Sequence, residues 1–125
     1  MAQILPGDRL RPHVKATKCT ALARRQVAVG HRHFTCATPR EVLGMVRAGV
    51  GESFLLANET LDTDRLSALA AVQHEALIMI AIDSTETLDA ANRAGIAHVI
   101  VDVNVGLPVA ALSSMARDDS PMTRE

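Results

Sequence analysis

Apolar runs with strand character recur at Leu10–Lys15, Arg32–Ala37, Ser53–Asn58, Leu77–Asp83 and His98–Val105, and a stretch with helical spacing separates each from the next. The repeat is about 22 residues long, which makes it a β/α alternation. Connections of that length join parallel strands through right-handed crossovers. The strands are therefore expected to run the same way and to share one carboxyl edge.

The helical stretches carry their own punctuation. Thr38-Pro39-Arg40-Glu41 supplies an N-cap hydroxyl, Pro at the first helical position and Glu at the third, and Gly49 sits where that helix should stop. Asp62 and Ser84 or Thr85 can cap the next two helices, while Gly30 and Gly95 can end the first and the fourth. The expected buried stripes are Leu22 with Val29, Val42 with Met45 and Val46, and Leu66 with Leu69.

Two α/β architectures fit this pattern. An open, doubly wound five-stranded sheet is complete in 125 residues, whereas a (β/α)8 TIM-type barrel needs about 250; length alone favours the sheet. Strand faces favour the barrel. Leu10, Pro12 and Val14 alternate with Arg11, His13 and Lys15, and Val99, Val101 and Val103 alternate with Ile100, Asp102 and Asn104. A central strand covered by helices on both faces should be apolar on both, while a polar row facing inward suits a barrel mouth. An edge strand also tolerates such a row. On the residues alone both architectures stay open; after Gly106 the pattern stops, and a disordered tail rich in Ser, Asp and Arg is expected over 109–125.

Thirteen basic residues stand against fourteen acidic ones, without a basic run, so nucleic acid and anionic membranes are not indicated as partners. No signal-peptide pattern opens the chain, and no apolar run approaches the roughly 20 residues that span a bilayer. A cytoplasmic location is expected. With Phe34 and Phe54 the only aromatic residues, the core must be built from aliphatic side chains. Cys19 and Cys36 read as two free thiols.

Lys15 is the first chemical candidate. A lysine at the carboxyl end of a parallel strand among apolar neighbours is partly desolvated, which favours the neutral, nucleophilic amine. The alternative is an ordinary solvated lysine, and position alone favours it. His13, Cys19, His31, His33 and Cys36 are metal-capable, but no CxxC, HxxxH or HExxH spacing joins them, and satisfied or exposed histidines are expected instead. Asn58, Asp83, Asp102 and Asn104 end three strands at the shared edge, where polar groups suit a ligand or simply cap turns. GxGxxG, Walker and GxSxG patterns are missing from the sequence, so dinucleotide, nucleoside-triphosphate and serine-hydrolase chemistry lack support.

Five segments in order carry a family likeness: Arg11-Pro12-His13-Val14-Lys15-Ala16-Thr17-Lys18-Cys19, Phe34-Thr35-Cys36-Ala37-Thr38-Pro39-Arg40-Glu41, Leu55-Leu56-Ala57-Asn58-Glu59, Asp83-Ser84, and Val101-Asp102-Val103-Asn104-Val105-Gly106. Together they resemble the D-threonine aldolase branch of the alanine racemase-type, fold-type III pyridoxal-phosphate enzymes. The resemblance implies a partial, unclosed (β/α)8 TIM-type barrel of about five parallel strands and four helices over residues 1–108, and Lys15 as the residue forming a Schiff base with pyridoxal phosphate, then acting as general base. It also implies a small D-amino acid substrate, cleaved by a retro-aldol step to glycine and an aldehyde. His13, Asn58, Asp83 and Asn104, with Arg11, become candidate mouth residues around the cofactor. A divalent metal, Mn or Mg, is implied too, with its ligands outside this chain.

Three departures accompany the resemblance. Relatives begin with a further strand and helix, carry His where this chain has Thr17, and continue with Arg-Cys-Gly where this chain has Val109-Ala110-Ala111. Arg-Cys-Gly codons read one base late give Val-Ala-Ala, so a shifted reading frame after Pro108 is expected. The leading expectation is thus a truncated lyase, inactive alone, with an exposed sheet edge open to homo-oligomer formation. Amino-acid racemase or D-serine/hydroxyaspartate dehydratase activity, and a non-catalytic cofactor-binding fragment, are the alternatives. A stand-alone binding module would require the likeness to be accidental.

Overall fold

Each crossover returns to the position beside the strand it left, and that rule generates the sheet. The computed structural model describes residues 3–106. After a short 3-10 turn at Gly7–Arg9 come α1 (Thr20–Ala28), β1 (His33–Cys36), α2 (Pro39–Arg47), β2 (Ser53–Leu56), α3 (Thr63–Ala71), β3 (Leu77–Ile82), α4 (Thr85–Ala94) and β4 (His98–Val101). All pairings are parallel and the spatial order is β1-β2-β3-β4.

Sequential order distinguishes the two architectures. A doubly wound sheet reverses its order at a switch point and places helices on both faces. Here nothing reverses, so right-handed crossovers put α2, α3 and α4 on one face. Phe34, Cys36, Phe54, Leu56 and Ile78 lie on that face and are fully buried. Thr35, Leu55 and Met79 project from the other face and are only half-buried. The fold is an unclosed part of a (β/α) barrel.

The helix signals act where the sequence places them. Thr38 Oγ1 accepts from the Glu41 amide, and Asp62 accepts from the Arg65 amide. Ser84 forms a reciprocal capping box with Thr87, and α4 ends on Gly95 at φ 79°. Val42, Met45 and Val46 on α2, and Leu66 and Leu69 on α3, are buried. The stripe expected on α1 is not: Leu22 is 38% exposed and Val29 57%. Instead α1 buries Ala23, because the face bearing Leu22 and Val29 meets no described element.

Among the described residues four strands form where five were expected. Leu10–Lys15 contributes an isolated bridge between His13 and Thr35, made by Thr35 N–H to Pro12 O and Val14 N–H to Thr35 O. It cannot lengthen towards the N-terminus, because Pro12 has no N–H to offer β1. Nor does it lengthen towards the C-terminus. The Val14 carbonyl is taken by the amides of Thr17 and Lys18, and the Ala37 amide by Glu41 Oε2 at 2.8 Å. β4 likewise ends at Val101 rather than Val105. The expected tail at 109–125 and the frame change after Pro108 lie outside the described residues.

Candidate functional site

Parallel pairing carries the C-terminal ends of the strands to one edge, and Lys15, Asn58, Asp83 and Asn104 each follow a strand or the bridged segment there. Lys15 opens the turn that leaves the bridge, and its backbone N–H donates to His13 Nδ1 at 3.2 Å. His13 and Lys15 are both exposed, while Val14 between them is buried. The apolar burial invoked for Lys15 is thus absent among the described residues. Its amine instead stands in solvent at the carboxyl edge.

The other rim residues are not drawn into hydrogen bonds with Lys15 among the described residues. Asp83 Oδ1 accepts from Thr87 Oγ1 at 3.2 Å, which ties it to the start of α4. Asn104 Oδ1 accepts from the Gly106 amide at 2.8 Å, a local turn. Asn58 and Asp102 are exposed.

Arg11 lies elsewhere than expected. Its guanidinium donates to Phe34 O at 3.1 Å, to Ser53 O at 3.4 Å and to Ser53 Oγ at 3.1 Å. Ser53 is the first residue of β2, so Arg11 reaches the amino-terminal end of the sheet and not the rim. Four residues of extended chain, about 13 Å, separate it from Lys15. Burial lowers the Arg11 pKa, opposed by Asp8 and Cys36. The Arg11–Ser53 contact left no sequence signal, because 42 residues separate its partners.

The metal-capable side chains are occupied in separate places. His31 is buried with Nδ1 3.1 Å from Gly7 O, and His33 Nε2 stands 3.6 Å from Asp8. Both cysteines are free, Cys19 exposed and Cys36 buried. Burial, and then the neighbouring Glu41 carboxylate, push the Cys36 thiol up to about 12, with Arg11 acting in the opposite direction. Among the described residues no three His, Cys, Asp or Glu side chains gather as a metal site.

A cleft of about 350 Å³ opens between the starts of α1 and α2, lined by Lys18, Cys19, Thr38, Arg40 and Glu41 among others. Glu41 is its nearly buried wall, 3.6 Å from Lys18 Nζ. Lys15 does not line it. Among the described residues no helix is long and apolar enough to cross a membrane.

Residues 1–108 match the family described as alanine racemase, N-terminal domain. The chain belongs to that family. Within it, the chain is 32% identical over 123 residues to a D-threonine aldolase from Arthrobacter sp., a match covering 87% of this chain and 32% of that protein. The crystal structure of D-threonine aldolase from Filomicrobium marinum superposes with a TM-score of 0.66 at 34% identity, covering 77% of this chain and 27% of that one. This alanine racemase-type domain thus spans about a third of the length of the curated relative it matches. The family is pyridoxal-phosphate dependent.

The described residues fit one part of such a cofactor's site. Lys15 offers a solvent-facing amine at the carboxyl edge, with no hydrogen bond or ion pair from Nζ among the described residues. They do not fit a divalent metal.

Proposed function

We propose that this chain carries the cofactor-holding lysine of a pyridoxal-phosphate lyase acting on β-hydroxy-D-amino acids, as the D-threonine aldolases do. The observation that carries the reading is Lys15, exposed at the end of the first extended segment on the carboxyl edge of a family sheet. When bound, pyridoxal phosphate supplies an electron sink for charge developing on the substrate α-carbon. Lys15 Nζ would hold the cofactor through its aldehyde carbon, and as a free amine it would hold or return a proton at the reacting carbon. His13 accepts the Lys15 amide and so fixes the turn from which that side chain extends. Asn58, Asp83 and Asn104 are the proposed polar rim.

A second reading, cofactor binding without turnover, is favoured by one observation. No acid–base side chain among the described residues hydrogen-bonds Lys15 Nζ, so nothing yet positions a proton donor or acceptor beside it. A cytoplasmic location belongs to the same proposal.

Incubation with pyridoxal phosphate, borohydride reduction and peptide mass spectrometry test the reading directly. The expected result is one cofactor adduct on Lys15, absent from Lys15→Ala, with Lys18 unmodified at stoichiometric cofactor. Equal labelling of Lys15 and Lys18, or none in folded protein, would overturn it. Aldehyde release from D-threonine with added divalent metal then separates lyase from inert binder.

A further inference from the structure

Where the first extended segment stops decides where Lys15 stands. The parallel ladder between that segment and β1 runs from Thr35 N–H on Pro12 O, at 2.8 Å, to Val14 N–H on Thr35 O, at 2.9 Å. The next rung of such a ladder joins the Ala37 amide to the Val14 carbonyl. That rung is not made. The Ala37 amide donates to Glu41 Oε2 at 2.8 Å, while the Val14 carbonyl accepts from Thr17 N–H at 3.1 Å and from Lys18 N–H at 2.8 Å. The chain therefore leaves the sheet at Lys15.

Glu41 is tied to both ends of this arrangement. It is the third residue of α2, where the helix N-terminus favours a negative charge, and its side chain is only 9% exposed. Oε2 holds the Ala37 amide, and Oε1 stands 3.6 Å from Lys18 Nζ. Lys18 closes the turn at φ 45°, a left-handed conformation that a residue with a Cβ keeps only where its surroundings hold it. The Val14 carbonyl holds its backbone and Glu41 its amine.

We infer that Glu41 is the positioning residue of Lys15. By withholding the Ala37 amide from the Val14 carbonyl it ends the ladder where Lys15 begins the turn. By holding Lys18 it reserves the cofactor aldehyde for the first of two lysines three residues apart. The reserving role rests on the reading of Lys15 as the cofactor lysine; the placing of the turn does not.

Among the described residues no hydrogen bond or ion pair joins Glu41 to Lys15, so its effect passes through Ala37 and Lys18. With the carboxylate gone, the Ala37 amide and the Val14 carbonyl are each other's ladder partners. Pairing them draws Lys15 and Ala16 into line with β1 and takes the acceptor away from Thr17 and Lys18. Lys18 then loses both its ties. In the native turn, Lys18 must give up the Glu41 carboxylate to react with an aldehyde, whereas Lys15 Nζ has no such tie among the described residues.

Hydrogen exchange on the cofactor-free full chain reads the turn. Glu41→Ala should speed exchange at the Thr17 and Lys18 amides about ten-fold, the effect of losing one charged hydrogen bond. Thr38→Ala removes the cap of α2 but leaves the carboxylate, and should change the same amides less than about two-fold. Should Glu41→Ala not fold, Glu41→Asp, one methylene short of the Ala37 amide, makes the same comparison. Equal acceleration by the cap and carboxylate variants, or none by the latter, overturns the placing of the turn.

Borohydride trapping with excess pyridoxal phosphate reads the choice of lysine. Glu41→Gln keeps an oxygen for the Ala37 amide and removes the charge facing Lys18. It should raise the ratio of Lys18 to Lys15 adduct about two- to five-fold over wild type, the range of one exposed ion pair. An unchanged ratio overturns the reserving role. No adduct on folded wild type removes the cofactor reading and the reserving role together, while the exchange rates still decide how Lys15 is placed.

Discussion

Arg11 Nη2 donates to Ser53 Oγ at 3.1 Å, and Nη1 holds the carbonyls of Phe34 and Ser53. The side chain therefore steps across β1 and fastens the bridged segment to β2. A segment held to the sheet by one backbone bridge needs such a second attachment, since two ladder hydrogen bonds do not by themselves fix its direction.

Arg11→Ala should cost about 2 kcal/mol, because a charged donor is lost and partly buried acceptors are left unpaired. Ser53→Ala should cost about 1 kcal/mol. Urea unfolding of both singles and the double variant measures this. Coupling between the two positions is expected, and strict additivity would show that the contact contributes nothing.

Gly51 and Gly44 should respond oppositely to alanine. At Gly51, with φ 88°, an added Cβ meets the buried Phe34 ring at 2.8 Å and Arg32 O at 3.1 Å, so a loss of about 2–3 kcal/mol is expected. At Gly44, inside α2, an added Cβ meets nothing within 4 Å, and alanine should stabilise by about 0.5–1 kcal/mol. Thermal unfolding midpoints read both.

Cys36 makes stability pH-dependent in the alkaline range. Its folded pKa is raised from 9.0 to about 12, so above pH 9 the unfolded chain releases a proton that the folded chain retains. The stabilisation is complete below pH 9 and is lost as pH rises towards 12, at no more than about 1.4 kcal/mol per pH unit. Cys36→Val should flatten that slope. In native protein at pH 8 a thiol reagent should titrate Cys19 alone, and both thiols should react in denaturant.

Thr38→Ala and Ser84→Ala should each cost about 1 kcal/mol through loss of an N-cap acceptor. Ser84 also shares its cap with Thr87, whose hydroxyl holds Asp83 at 3.2 Å. Thermal melts of the two variants measure the cost. Ser84→Ala should also make Asp83 more mobile, seen as faster hydrogen exchange at the Asp83 and Ser84 amides than in Thr38→Ala.

The alternation of strands and helices, and the caps at Thr38, Asp62 and Ser84, were legible because each depends on residues within a few positions of one another. The burial of α2 and α3 followed for the same reason, as one helical face repeats every turn. The family likeness singled out Lys15 as the proposed cofactor lysine, where strand position alone favours an ordinary one.

Tertiary structure decided the rest. Only the sheet shows that Pro12 and the diverted carbonyl of Val14 confine the first segment to one bridge, and that Arg11 turns towards Ser53 and away from the rim. Leu22 and Val29 have the spacing of a buried stripe, yet remain exposed because no described element meets their face. Periodicity specifies which side chains share a face; whether anything covers that face depends on partners distant in the chain. Lys15 shows both halves: its place at the carboxyl edge follows from the order of elements, while its exposure follows from what packs, and does not pack, around it.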